Sequence, residues 1–175
     1  MIASVAAVFV AVVVQRMLEL RVARRNAAAA RARGATEFGA AHYPLFFALH
    51  GAWMIAWPAE AITRDARPAA WTLWLFAVVA AQVLRYWAIT SLGGRWNTRI
   101  LVVPGDVPLQ AGPYRWIGHP NYVAVVIELA AVPLMFGAWT TAASASIANL
   151  ALLLGVRIPA EKSALQWAQQ QTPPT

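Results

Sequence analysis

The residues best suited to chemistry lie in one short run, Gly-Pro-Tyr-Arg-Trp-Ile-Gly-His-Pro-Asn-Tyr from Gly112 to Tyr122, and in a later pair, Arg157 and Glu161. The run places an imidazole (His119), two phenols (Tyr114 and Tyr122) and an amide (Asn121) where a polar connection meets a long apolar segment. Proline is tolerated in the first turn of a helix, so Pro120 makes His119 a cap position with its ring at the interface. Arg157 and Glu161 are spaced i, i+4, which sets both on one helix face. Such groups can bind a polar cofactor and stabilise an oxyanion. Taken singly, each has a plainer reading: Tyr114, Trp116 and Tyr122 as interfacial anchors, Arg157 and Glu161 as a surface ion pair worth little. Other chemistries lack their signatures. The sequence holds no phosphate-binding loop, no Gly-x-Ser-x-Gly elbow and no metal-type His/Glu spacing, so no metal is expected. It holds no cysteine for a disulfide or thiolate site. It also lacks Gly-x-Gly-x-x-Gly, so a nucleotide-like cofactor must be held outside a Rossmann fold.

The elements that carry these residues are membrane helices. Of 175 residues, 60% are hydrophobic and 12% charged, against about a quarter charged in soluble domains. The apolar runs predict an all-α bundle of about five transmembrane helices in a single domain: 2–21, 41–62, 69–92, 119–135 and 139–156. The apolar stretch from His119 to Val156 is too long for one crossing. Pro133 and Gly137 divide it into a hairpin that returns Arg157 and Glu161 to the edge where His119 sits. Arg24, Arg25, Arg31 and Arg33 are expected on a surface helix after the first span, with Gly34 interrupting it. Residues 93–118 form a long polar connection, and 166–175 a frayed polar tail. The net charge of +7 comes from arginines flanking apolar runs, which points to anionic membrane lipid and orientation rather than nucleic acid. On the other side stand Arg64 and Arg67. The positive-inside rule therefore puts the connection and C-terminus in the cytoplasm, with the N-terminus outside.

Counting inward from that side, His50, Arg85, Glu128 and Asn149 all reach roughly 10–14 Å depth at the α-helical rise. Ionisable groups at such depth are costly unless paired. An Arg85–Glu128 pair is therefore expected, facing a substrate, while His50 and Asn149 read as assembly hydrogen bonds.

The run from Gly112 to Glu128, with Arg157 and Glu161, resembles the isoprenylcysteine carboxyl methyltransferase family of membrane enzymes. That family's hallmark is Arg-His-Pro-x-Tyr followed by Arg and Glu four apart. Leu84-Arg85-Tyr86-Trp87, Arg95-Trp96-Asn97-Thr98-Arg99, Glu37 and His42-Tyr43 extend the resemblance towards a bacterial branch thought to O-methylate long-chain alkylpyrones or alkylresorcinols. The resemblance implies S-adenosyl-L-methionine as cofactor and a lipophilic small molecule from the bilayer as acceptor. By motif it assigns Tyr114, His119, Pro120, Asn121, Tyr122 and Glu161 to the cofactor, with Val107, Pro108 and Leu109 as a further lining segment. Arg157 matches the arginine that faces substrate, and His119 and Arg157 are the candidate catalytic pair. Two positions depart from the pattern: Gly118 stands where the family has arginine, and Lys162 where a second glutamate is usual. An NADPH-dependent membrane reductase of the related sterol-reductase type and a non-catalytic membrane subunit are the alternatives.

Overall fold

The computed structural model describes residues 1–65, 68 and 70–171. Arg67, the first residue of the expected third span and the last four of the tail lie outside them. Among the described residues the fold is all-α apart from one pair of short strands: α1 (Ile2–Ala32), β1 (Thr36–Phe38), α2 (Tyr43–Arg64), α3 (Trp71–Leu92), β2 (Ile100–Val102), α4 (Pro120–Leu134), α5 (Trp139–Leu152) and α6 (Ile158–Gln170). Four helical stretches among the described residues are long and apolar enough to cross a membrane: α1, α2, α3 and the continuous run from α5 through α6. With 15 residues, α4 is about 22 Å long, shorter than a bilayer core.

Three expectations need correction. The first span and the basic segment after it form one helix of 31 residues, because the alanines and arginines beyond residue 21 keep high helix propensity. It stops at Gly34, whose φ of 81° is open to glycine at little cost, with Ala35 N–H donating back to the Ala30 carbonyl at 3.0 Å. The fifth span does not end at 156. A π-type turn, Leu153–Arg157, carries it into α6, and Pro159 sits in the first turn of α6 where its missing N–H costs nothing. The tail is helical through Gln170, since Ala164 and Ala168 are fully buried against Ile100 and Val102 of the strand pair. That pair is antiparallel, with Glu37 opposite Leu101, and no span pattern foreshadows it.

Small residues let the helices approach closely, as membrane packing requires. Ala81 and Ala88 of α3 and Ala124 of α4 are completely buried. The core centres on Trp57, whose ring stacks on Phe136 with centroids 5.5 Å apart. Phe47, Ile55, Phe76 and Ile147 remain exposed on the outer faces, where lipid would cover them. The α4–α5 hairpin turns as expected, and its far end is fastened from α2. The Glu60 carboxylate accepts the Thr140 and Thr141 N–H groups at 3.0 and 2.8 Å, capping α5 in place of a local side chain.

Candidate active site

The long connection is held down from several directions. Asn26 of α1 donates to the Trp96 carbonyl at 2.7 Å, and Asn97 donates to the Ala23 carbonyl at 3.1 Å. The extension of α1 thus becomes a rail for residues 93–97. Gly112 lies so close to α3 that a Cβ there would sit 2.1 Å from Ser91 Oγ, and its φ is 55°. Only glycine fits that approach. Glu37 accepts from Arg31 at 2.8 Å and from Arg99 at 2.5 Å, and Arg99 lies over the Tyr43 ring at 4.2 Å. Burial raises the Glu37 carboxyl, but the hydrogen bonds from Arg99 and Arg31 outweigh it and hold the group below the ordinary carboxylate range.

These supports fix a relay of three side chains from separate elements. Arg157 Nε donates to Tyr122 Oη at 3.0 Å, and the Tyr122 hydroxyl donates to Glu161 Oε2 at 2.5 Å. Arg157 Nη2 donates to the Thr98 carbonyl at 2.9 Å. Arg157 and Glu161 are not paired to each other: Tyr122 stands between them. Arg157 as a residue is 8% exposed, and its guanidinium has no carboxylate within ion-pair distance among the described residues. A buried cation without a counter-charge is costly, and here it faces two cavities. His119 stacks on Tyr122, rings 14° apart in angle and 5.1 Å between centroids, with Nδ1 3.7 Å from Glu161. Burial first, then the Glu161 carboxylate, pushes the Tyr114 phenol up, so it stays a protonated donor.

The two cavities define what the site can hold. An outer cleft of about 200 Å³ opens beside the connection and is lined by Tyr114, His119, Glu161 and the segment Val107–Leu109. Arg95 secures that segment by donating to the Val107 carbonyl at 2.9 Å. An inner chamber of about 360 Å³ lies among the spans, lined chiefly by apolar residues of α1 and α2, with Arg85, His50 and Asn149. Trp96, Asn97, Asn121, Tyr122 and Arg157 line both, so they form a shared wall. Pro120 lines neither: it is buried at the start of α4. Gly118 borders the outer cleft with open space where a Cβ would point.

Deeper in the bundle, Arg85 does pair with Glu128, and both are buried. Sequence reasoning missed the other half of this cluster. Arg16 donates to Glu19 at 2.6 Å and to Glu128 at 2.5 Å, and Gln15 bridges Glu19 to Gln82 at 2.9 and 2.6 Å. Arg16 and Glu19 lie towards the end of the expected first span, outside the layer of four residues that depth counting picks out. Their i, i+3 spacing was the available signal. The tetrad joins α1, α3 and α4 and carries no net charge. Arg85 reaches the inner chamber, whereas Glu128 is enclosed by its partners.

A multipass helical membrane protein with a polar cleft and an apolar chamber sharing one wall is the architecture these observations define. A family model described as isoprenylcysteine carboxyl methyltransferase matches residues 73–167, and the chain belongs to that family. It is also similar to the uncharacterized protein YpbQ of Bacillus subtilis (strain 168), 44% identical over 155 residues covering 88% of this chain and 92% of the relative. No solved structure matches it.

Proposed function

We propose that this protein is an integral-membrane S-adenosylmethionine-dependent methyltransferase for a lipophilic oxygen acceptor, either a long-chain polyketide phenol or pyrone or a prenylcysteine-like carboxylate. The wall shared by the two cavities carries this reading. A water-soluble cofactor and a bilayer-soluble acceptor need separate compartments whose contents meet at one point, and Tyr122 and Arg157 stand there.

The outer cleft suits S-adenosylmethionine. Glu161 offers a carboxylate to its cationic groups, the buried Asn121 Oδ1 lacks a protein partner, and Val107, Pro108 and Leu109 offer an apolar surface. When bound, this cofactor supplies an electrophilic methyl group on a sulfonium. The chain's own residues position and shield. Tyr122 and His119 brace Glu161 from one side, and Tyr114 stays a hydrogen-bond donor. On the chamber side, the uncompensated Arg157 guanidinium attracts and stabilises the acceptor's oxyanion, and the apolar lining excludes water. Glu161, Asn121 and the Val107–Leu109 segment would hold the cofactor that supplies its methyl group to the acceptor oxygen, and a phenolic acceptor would have to lose its proton to water first. A carboxylate needs no such loss, so the pH profile separates the two acceptor classes. The connection carrying this cleft faces the cytoplasm of a bacterial plasma membrane on the charge asymmetry, and the acceptor enters sideways from the lipid.

S-adenosylhomocysteine should raise the melting temperature of the protein in nanodiscs, and NADPH should not. Lipid extracts labelled with methyl-tritiated cofactor should carry a product only when the protein is present. Stabilisation by NADPH alone rejects the proposal in favour of a reductase.

A further inference from the structure

The inner chamber contains polar groups that the shared wall does not use. His50 of α2 and Asn149 of α5 both line it, and these two helices pack directly together. His50 lies about two turns inside the start of α2 at Tyr43, and Asn149 a similar distance before Arg157 along the continuous α5 run, so both sit roughly 10–12 Å below the connection at the α-helical rise. His50 Nδ1 bonds the Phe46 carbonyl at 2.8 Å. A carbonyl only accepts, so in the neutral ring Nδ1 holds the hydrogen and Nε2 is a lone-pair acceptor. Asn149 is 0% exposed, and neither its amide nitrogen nor its amide oxygen has a protein partner among the described residues. An amide left this way in an apolar bundle is expensive. It also exceeds what assembly needs, since an assembly asparagine bonds across helices.

The charges nearby decide what can sit there. Arg16, Glu19, Arg85 and Glu128 already neutralise one another, and His50 and Asn149 add no fixed charge. Among the described residues, the one uncompensated charge on the chamber, Arg157, is taken up by the reacting oxygen at the shared wall. A second ionised group deeper in would therefore find no counter-charge, and a hydrocarbon would leave the amide unsatisfied. A hydroxyl meets both demands: it donates to His50 Nε2 or Asn149 Oδ1 and accepts from Asn149 Nδ2.

We propose that His50 and Asn149 form a second recognition subsite, deeper than the shared wall, that takes an uncharged hydroxyl of the lipid acceptor. This rests on the chamber being the acceptor site. It makes the pair specificity-determining: the acceptor carries its reacting oxygen at Arg157 and a second, neutral oxygen further in.

The experiment uses the whole protein in nanodiscs and two matched probe pairs that differ by one hydroxyl: pentadecylphenol with pentadecylresorcinol, and stearic acid with its mid-chain hydroxy derivative. Apparent Kd comes from melting-temperature titration without cofactor. In at least one pair the hydroxylated member should bind roughly tenfold tighter, the worth of one to two hydrogen bonds in a desolvated site. That advantage should vanish in Asn149→Leu and His50→Phe and return in His50→Gln, whose amide oxygen can reach the Nε2 position. Equal binding within both pairs overturns the proposal, because the subsite then holds water only. So does an advantage that survives both substitutions, or a lowered melting temperature with the probe ratio unchanged. S-adenosylhomocysteine titrated in parallel reports on methyl transfer separately. No cofactor stabilisation with the hydroxyl advantage intact sinks that reading and keeps the subsite, and the reverse sinks the subsite alone.

Discussion

Tyr122 is the residue on which the wall depends, because it accepts from Arg157 and donates to Glu161 in one relay. Replacing it with phenylalanine keeps the stack on His119 but removes the link between Glu161 and Arg157, leaving Arg157 with the Thr98 carbonyl alone. The expected outcome is a roughly tenfold loss in kcat/KM in a methyl-incorporation assay. Arg157→Ala should cost roughly 10²–10³-fold in kcat, the scale of one lost oxyanion-stabilising group, while S-adenosylhomocysteine affinity stays within a few-fold. Glu161→Gln should show the opposite split, with cofactor affinity falling first, measured by the same melting titration. Equal losses of affinity in the arginine and glutamate variants would contradict the division between cleft and chamber. Gly118, the departure from the family's arginine, borders the cleft with room for a side chain. Arg95 already lines that cleft and anchors its Val107 side, so a cation is present there from another position.

At the scale of elements, the polar layer and the Glu37 clamp do different work. Removing Arg85 alone leaves a surplus negative charge among α1, α3 and α4, and breaking a buried pair this way costs about 3–5 kcal/mol. Arg85→Met with Glu128→Leu restores neutrality and leaves the Arg16–Glu19 pair at 2.6 Å. The double variant should therefore retain more folded protein after heating in nanodiscs than either single variant. Strict additivity would show that the charges act independently. Glu37 of β1 ties the end of α1, through Arg31, to the connection, through Arg99. Its folded carboxyl lies below the ordinary value, so its stabilisation is present above the unfolded pKa of about 4.3. It is lost as pH falls through the lowered folded value. The difference in melting temperature between the protein and Glu37→Gln should shrink as pH drops below about 4. Both arginines are more than a third exposed, so the contribution stays under about 1 kcal/mol.

For the whole molecule, the charged and aromatic residues divide the two ends. Trp71 and Trp139 are exposed at the Arg64 end and Trp87 and Trp116 at the connection end, as interfacial belts require. The long α1 extends past its own apolar part and becomes the support for the connection through Ala23 and Asn26. Function and membrane placement are thus coupled: a shift of α1 along its axis would move the shared wall. Asn26→Ala and Asn97→Ala together should loosen residues 93–97 and weaken cofactor binding several-fold without unfolding the spans. Circular dichroism alongside the titration checks this.

Much of the fold was legible in the sequence because bilayer thickness forces apolar runs of definite length, and Pro133 with Gly137 marks the hairpin whatever the tertiary context. The Arg85–Glu128 pair was legible for a related reason, since two opposite charges at one depth have few other ways to be tolerated. The residues of the outer cleft were legible as a family pattern. Their division of labour was not. Whether Arg157 pairs with Glu161 or reaches Tyr122 depends on the π-type turn and on where Thr98 is held, and neither has a local sequence period. Arg16 and Glu19 were left out of that layer because their depth depends on how far α1 slides past its apolar stretch. The strand pair that seats α6 escaped notice because three-residue strands are set by long-range pairing. Composition and spacing alone determined a membrane helix bundle with its polar groups at one edge and one depth. The tertiary structure decided that the edge becomes two cavities with a common wall, because only packing sets which side chains face the same space.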